Sequence, residues 1–261
     1  MKRREFITTS LAGVTGLAAA RLTAADSPHQ GPTSMRKILI AGGGFRTAFI
    51  RYMAELTGKP RPKLLYLPTA SADSPEGIAN WFEYCKPLNV EASVQESFIE
   101  SLSQKRSWEE VFLSVDGIVC SGGNTLNQQA IWKAQGIDVV LRKAWDRGIV
   151  LGGASAGSLC WFEEGTTDSR PQALSVVQGL GFLKGSHSPH YDADPGRRPL
   201  YEKLIASGQM KPGWACDNDA GIYFEDNVAK RAVSTRAGAK VYYVSAANGK
   251  AVEKVYEPVM I

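Results

Sequence analysis

Short apolar runs recur along the first 155 residues, and the stretches between them carry apolar residues at helical spacing. Lys37-Ile38-Leu39-Ile40-Ala41 is a run of strand length, stopped by Gly42-Gly43-Gly44. Similar runs occupy residues 63–67 (broken by Pro68), 90–94, 117–120 and 148–152. The intervening patterns predict helices over residues 47–56, 77–85, 108–113, 126–133 and 139–145. Strands this uniformly apolar are buried on both faces. Alternating with helices, they predict an α/β fold: a three-layer sandwich around a mostly parallel central sheet. The last third reads differently. Residues 213–217, 221–225, 231–235 and 240–245 look like short strands, and Asn248-Gly249 suits a hairpin turn. They predict mixed or antiparallel edge strands added to the parallel core.

Composition changes this picture little, and the N-terminus changes it more. The chain has 261 residues, 44% hydrophobic and 21% charged, as in an ordinary globular protein. Its net charge is +4, but Lys2, Arg3, Arg4 and Arg21 against Glu5 place three of those charges in the first 25 residues. The remainder is close to neutral, which removes the case for a nucleic-acid partner. Arg3-Arg4, a soft apolar stretch over residues 7–20 and Thr23-Ala24-Ala25 follow one another in the order of a twin-arginine export signal. The expectation is a signal over residues 1–25, a polar linker over 26–34 and one domain over 35–261. Export machinery would be a partner, and the location periplasmic or secreted. The apolar stretch is too short for a stable membrane anchor. Cys85, Cys120, Cys160 and Cys216 form no Cys-x-x-Cys pair, so neither a metal site nor a redox motif is expected. Their even number permits disulfides, and their spacing selects no pairing.

The candidate chemistry centres on Gly153-Ala154-Ser155-Ala156-Gly157, directly after an apolar run. Gly-x-Ser-x-Gly between a strand and a helix is the pattern of a sharp turn that exposes a serine hydroxyl. The Ala156 amide would face the same space and stabilise an oxyanion. A serine needs a base. Beyond His29 in the linker, the chain offers only His187 and His190. An orienting carboxylate would complete the set, and Asp168, Asp192, Asp194, Asp217 and Asp219 are the candidates. Gly122-Gly123-Asn124 ends another strand. It could supply a second oxyanion donor from Gly123, or serve as a plain turn with Asn124 as helix cap. Gly42-Gly43-Gly44 suggests a dinucleotide-binding loop, but Thr47 stands where the last glycine of that fingerprint belongs.

Taken together, Gly-Ala-Ser-Ala-Gly, the earlier Gly-Gly-Asn-Thr and the later Ser188-Pro189-His190-Tyr191 resemble the peptidase E family of serine peptidases, from Met35 onward. The resemblance implies a fold like that of class I glutamine amidotransferases, with serine in place of cysteine. It implies Ser155 as nucleophile, His190 as base and Gly123 and Ala156 as oxyanion donors. Asp219 falls where the family has a glutamate, with Asp168 in reserve. It also implies substrate contacts from Asn124 and Arg197. The implied activity is hydrolysis of short peptides, chiefly dipeptides with an N-terminal aspartate, without cofactor or metal; a homodimer is compatible with it. A cyanophycinase-like exopeptidase acting on β-aspartyl-arginine and a non-catalytic binding protein on the same scaffold are the competing readings.

Overall fold

Residues 34–98 and 103–261 are described in the computed structural model of the chain. The expected export signal, and the linker apart from Ser34, lie outside them. Strand and helix alternate through β1 (Lys37–Ala41), α1 (Thr47–Leu56), β2 (Lys63–Leu67), α2 (Pro75–Cys85), β3 (Glu91–Val94), α3 (Trp108–Phe112) and β4 (Gly117–Cys120). Helices α4 (Thr125–Gln135) and α5 (Ile137–Asp146) lead to β5 (Val150–Ala154) and the short α6 (Ala156–Leu159). Then come β6 (Phe162–Thr167), β7 (Ser175–Gln178), β8 (Leu183–Ser188), α7 (Arg197–Ala206) and β9 (Gly213–Cys216). The last elements are β10 (Ala220–Glu225), β11 (Val228–Ser234), β12 (Val241–Ala247), β13 (Lys250–Tyr256) and β14 (Val259–Met260).

The larger sheet runs β14-β11-β10-β1-β5-β4-β2-β3. Its β1-β5-β4-β2-β3 portion is parallel, and β10 and β11 join antiparallel beside β1. The fold is therefore the expected α/β type with a mostly parallel central sheet. The alternation of side chains along a strand explains why both faces are covered. Ile38 and Ile40 enter one core with Trp132, Trp145 and Phe224. Leu39 and Ala41 enter another with Phe49, Met53 and Trp81, from α1 and α2.

One expectation differs from the structure. Strands β9 and β12 do not extend the edge of the large sheet. They belong to a second sheet, ordered β13-β12-β9-β8-β6-β7. Its inner strands β6 and β8 are polar in sequence, yet Thr166, Thr167, Ser186, His187 and Ser188 are buried. They are tolerated because they bond one another or nearby groups: Thr166 and Ser188 hydroxyls lie 2.8 Å apart, and Ser186 Oγ lies 2.7 Å from the Tyr201 hydroxyl. All four cysteines are buried and free. Among the described residues no helix is long and apolar enough to cross a membrane.

Candidate active site

The carboxyl ends of β1, β4 and β5 meet at one rim, where ligands of open parallel sheets bind. Ser155 sits at the turn between β5 and α6 with φ 57 and ψ −118, a conformation non-glycine residues rarely adopt. The turn is locked in place. The Ser155 amide donates to Ala41 O at 3.2 Å, and a side-chain carbon on Gly157 would fall 2.1 Å from Cys120 O. Gly157 therefore answers a close backbone approach, as the flanking glycines of the motif require.

His190 follows β8 and brings its Nε2 to 2.8 Å from Ser155 Oγ. Its Nδ1 lies 2.7 Å from Asn218 Oδ1. An amide oxygen only accepts, so Nδ1 carries the proton and the Nε2 lone pair faces the serine hydroxyl. Asn218 is held from several sides. Its amide donates to Asp192 Oδ1 at 2.8 Å, its carbonyl accepts from Arg236 Nη2 at 2.9 Å, and its backbone bridges to Gly43. A side-chain carbon on Gly43 would lie 2.2 Å from Asn218 Oδ1 and 2.9 Å from the His190 ring. The glycine run after β1 thus makes room for the imidazole and its partner, where a dinucleotide loop was the other reading.

Neither expected acid reaches His190. Asp219 directs its carboxylate to Arg236, with Nε 3.4 Å from Oδ2. At φ 64 it turns the chain into β10 one residue after the group that faces the ring. Asp168 is 68% exposed and lies 3.6 Å from Arg197 Nη2. Asp217 is buried, which pushes its carboxyl above the usual range, and accepts from Lys240 N at 2.8 Å. The group that faces the ring is the amide of Asn218, where the sequence points to a carboxylate. The available signal was that an asparagine orients the histidine in some cysteine proteases.

Other expected site residues separate as follows. Gly122 packs against Ser155, which sets the Gly122-Gly123 turn beside that hydroxyl. Ala156 opens α6, where the first amides lack partners within the helix. Asn124 caps α4: its Oδ1 accepts from Asn127 N at 2.9 Å, and its Nδ2 donates to Ser169 O at 3.0 Å. Both ends of that amide are engaged, one at the helix start and one at the Ser169 carbonyl. Arg197 is 2% exposed and donates to Thr166 O at 2.9 Å, with Asp194 and Asp168 nearby. Its charge is held inside the fold at the start of α7, against Thr166 O and the two carboxylates. His187 is buried against Phe162, with Nδ1 3.0 Å from Trp214 O and Nε2 3.0 Å from Ser158 Oγ. Burial holds it down at about 3, so it stays neutral.

Comparison with known proteins gives the chain a family and a fold. A model of peptidase family S51 matches residues 38–232. YgaJ, an uncharacterized peptidase of Bacillus subtilis (strain 168), is 37% identical over 221 residues, which cover 83% of this chain and 94% of that protein. Two solved structures share the fold. A peptidase from an acI-B1 Actinobacterium has a TM-score of 0.67 at 15% identity, over 87% of this chain and 96% of its own. A candidate peptidase E protein from Listeria monocytogenes EGD-e has a TM-score of 0.58 at 16% identity, over 78% of this chain and all of its own.

Proposed function

Because the chain belongs to peptidase family S51, we propose that it is a serine peptidase that hydrolyses short peptides through Ser155. The reading is carried by the 2.8 Å contact between Ser155 Oγ and an imidazole whose far nitrogen is anchored 2.7 Å from an amide oxygen. Ser155 Oγ attacks the peptide carbonyl carbon while its proton passes to His190 Nε2. The carbonyl oxygen becomes an oxyanion, and the Gly123 and Ala156 amides are its donors in this reading. His190 then protonates the leaving nitrogen, and the C–N bond breaks to give an acyl-serine. Water attacks that ester, yields its proton to His190, and the proton returns to Ser155 as the acid departs. Asn218 fixes the tautomer that makes each transfer possible.

The test pairs a fluorophosphonate probe with a peptide panel that includes Asp-x dipeptides and β-aspartyl-arginine. Wild type should label at Ser155 and cleave at least one peptide, and Ser155→Ala should do neither. Equal hydrolysis by the two proteins would overturn the mechanism. Export belongs to the same proposal, supported by the order of charge and apolarity over residues 1–25. Replacing Arg3 and Arg4 by lysine should hold the protein in the cytoplasm on cell fractionation.

A further inference from the structure

A cavity of about 240 Å³ opens at Ser155 and runs between the end of β1 and helix α2. Phe45, Tyr66, Trp81 and Tyr84 line it, beside the uncharged polar Asn80 and Ser121. The rings are fixed: Tyr66 and Trp81 stack with centroids 5.2 Å apart and planes within 12°. Trp81 is also 3% exposed. No acidic or basic side chain is among the described residues that line the cavity. Burial raises the Tyr66 hydroxyl above its ordinary range, so that wall does not ionise either. Arg46 follows Phe45 directly, but it is exposed and lies outside the lining.

We propose that this cavity receives the side chain of the residue whose carbonyl Ser155 attacks, and that it selects an apolar or aromatic side chain over an acidic one. The proposal rests on Ser155 as the nucleophile. Its size supports one side chain, being below the range of about 300–1,000 Å³ typical of pockets that hold whole ligands. Its chemistry supports the preference. A carboxylate entering it would lose its hydration and find no cation in return, which is unfavourable wherever a buried charge lacks a partner. A ring or branched alkyl group would instead meet aromatic faces, at offset or edge-on geometries that stabilise such pairs. The N-terminal aspartate expected from the family resemblance has no counterpart in this lining, and Arg197, the cation suggested for it, is buried elsewhere.

The experiment compares aminoacyl p-nitroanilides of Phe, Leu, Ala and Asp with the full-length enzyme, alongside fluorophosphonate labelling of Ser155. Phe and Leu substrates should exceed Asp in kcat/KM by about 100-fold or more, the scale on which pockets discriminate when a fitting group is exchanged for a mismatched one. Gly77→Leu supplies the second arm. Gly77 lies in the lining within α2, where a new side-chain carbon would meet the Tyr66 hydroxyl at 3.5 Å, an ordinary contact. Leucine also favours a helix more than glycine does. This variant should lower the Phe-to-Ala ratio of kcat/KM by about 10-fold or more. An unchanged ratio would overturn the assignment of the cavity. A labelled enzyme that prefers Asp would overturn the proposal while leaving the nucleophile standing, and a preference lost in Arg46→Ala would locate the reader of that acid outside the cavity. Failure of Ser155 to label would remove the peptidase reading and this proposal together.

Discussion

An amide beside the imidazole does half of what a carboxylate would do there. Asn218 fixes the tautomer and the ring angle of His190 through a 2.7 Å contact, but it brings no negative charge to offset an imidazolium. Asn218→Ala should therefore lower kcat by about 10-fold or more, towards the roughly 10⁴-fold lost when the histidine of a serine triad is left in the wrong tautomer, with KM little altered. Asn218→Asp keeps an acceptor oxygen at the same place and should recover the loss. A variant series in which alanine matches wild type would exclude the orienting role. At this scale the sequence was partly legible. Ser155 was legible because its turn needs small neighbours at set positions, and the base because histidines were scarce. The choice between His187 and His190 depends on where β8 ends: His187 remains inside the strand and under Phe162, while His190 passes Pro189 and reaches the rim. Asn218 was hidden between two aspartates, either of which satisfied a search for charge.

Helix α4 shows what a cap can conceal. Asn124 follows a glycine turn at the rim, so its position alone suggests substrate contact. Its two hydrogen bonds, to Asn127 N and Ser169 O, assign it to the helix start. Asn124→Ala should destabilise the protein by about 1 kcal/mol, the usual cost of losing such a cap. Urea denaturation reads this directly, and KM should hold. A rise in KM without loss of stability would restore the substrate role. The same contrast governs which elements the sequence displays. Strands β1, β2, β4 and β5 are apolar because both faces are buried, and their runs stand out. Strand β8, Leu-Lys-Gly-Ser-His-Ser, buries its Ser and His residues through hydrogen bonds, so its burial leaves no apolar trace. Helix α7 begins Arg-Arg-Pro and turns its buried arginine inward, which disguises its inner face.

Across the whole molecule, acid should act through His187. Burial holds it at about 3, against 6.5 when free. The unfolded chain therefore takes up this proton first as pH falls. The stability tied to neutral His187 is complete above pH 6.5 and is lost progressively towards pH 3, at up to about 1.4 kcal/mol per pH unit. Urea midpoints measured from pH 7 to 4.5 should fall more steeply for wild type than for His187→Gln; equal slopes would rule out this linkage. The large sheet has one further consequence. Strand β1 comes early in the chain but lies in the sheet interior, paired with β10 from Lys37↔Glu225 to Ala41↔Gly221, and Gly43 meets Asn218 just beyond. During synthesis, then, a ribosome has already made Ser155 and His190 while Asn218 is still unmade. On the proposed mechanism, the nascent chain carries its serine unarmed until translation is nearly finished.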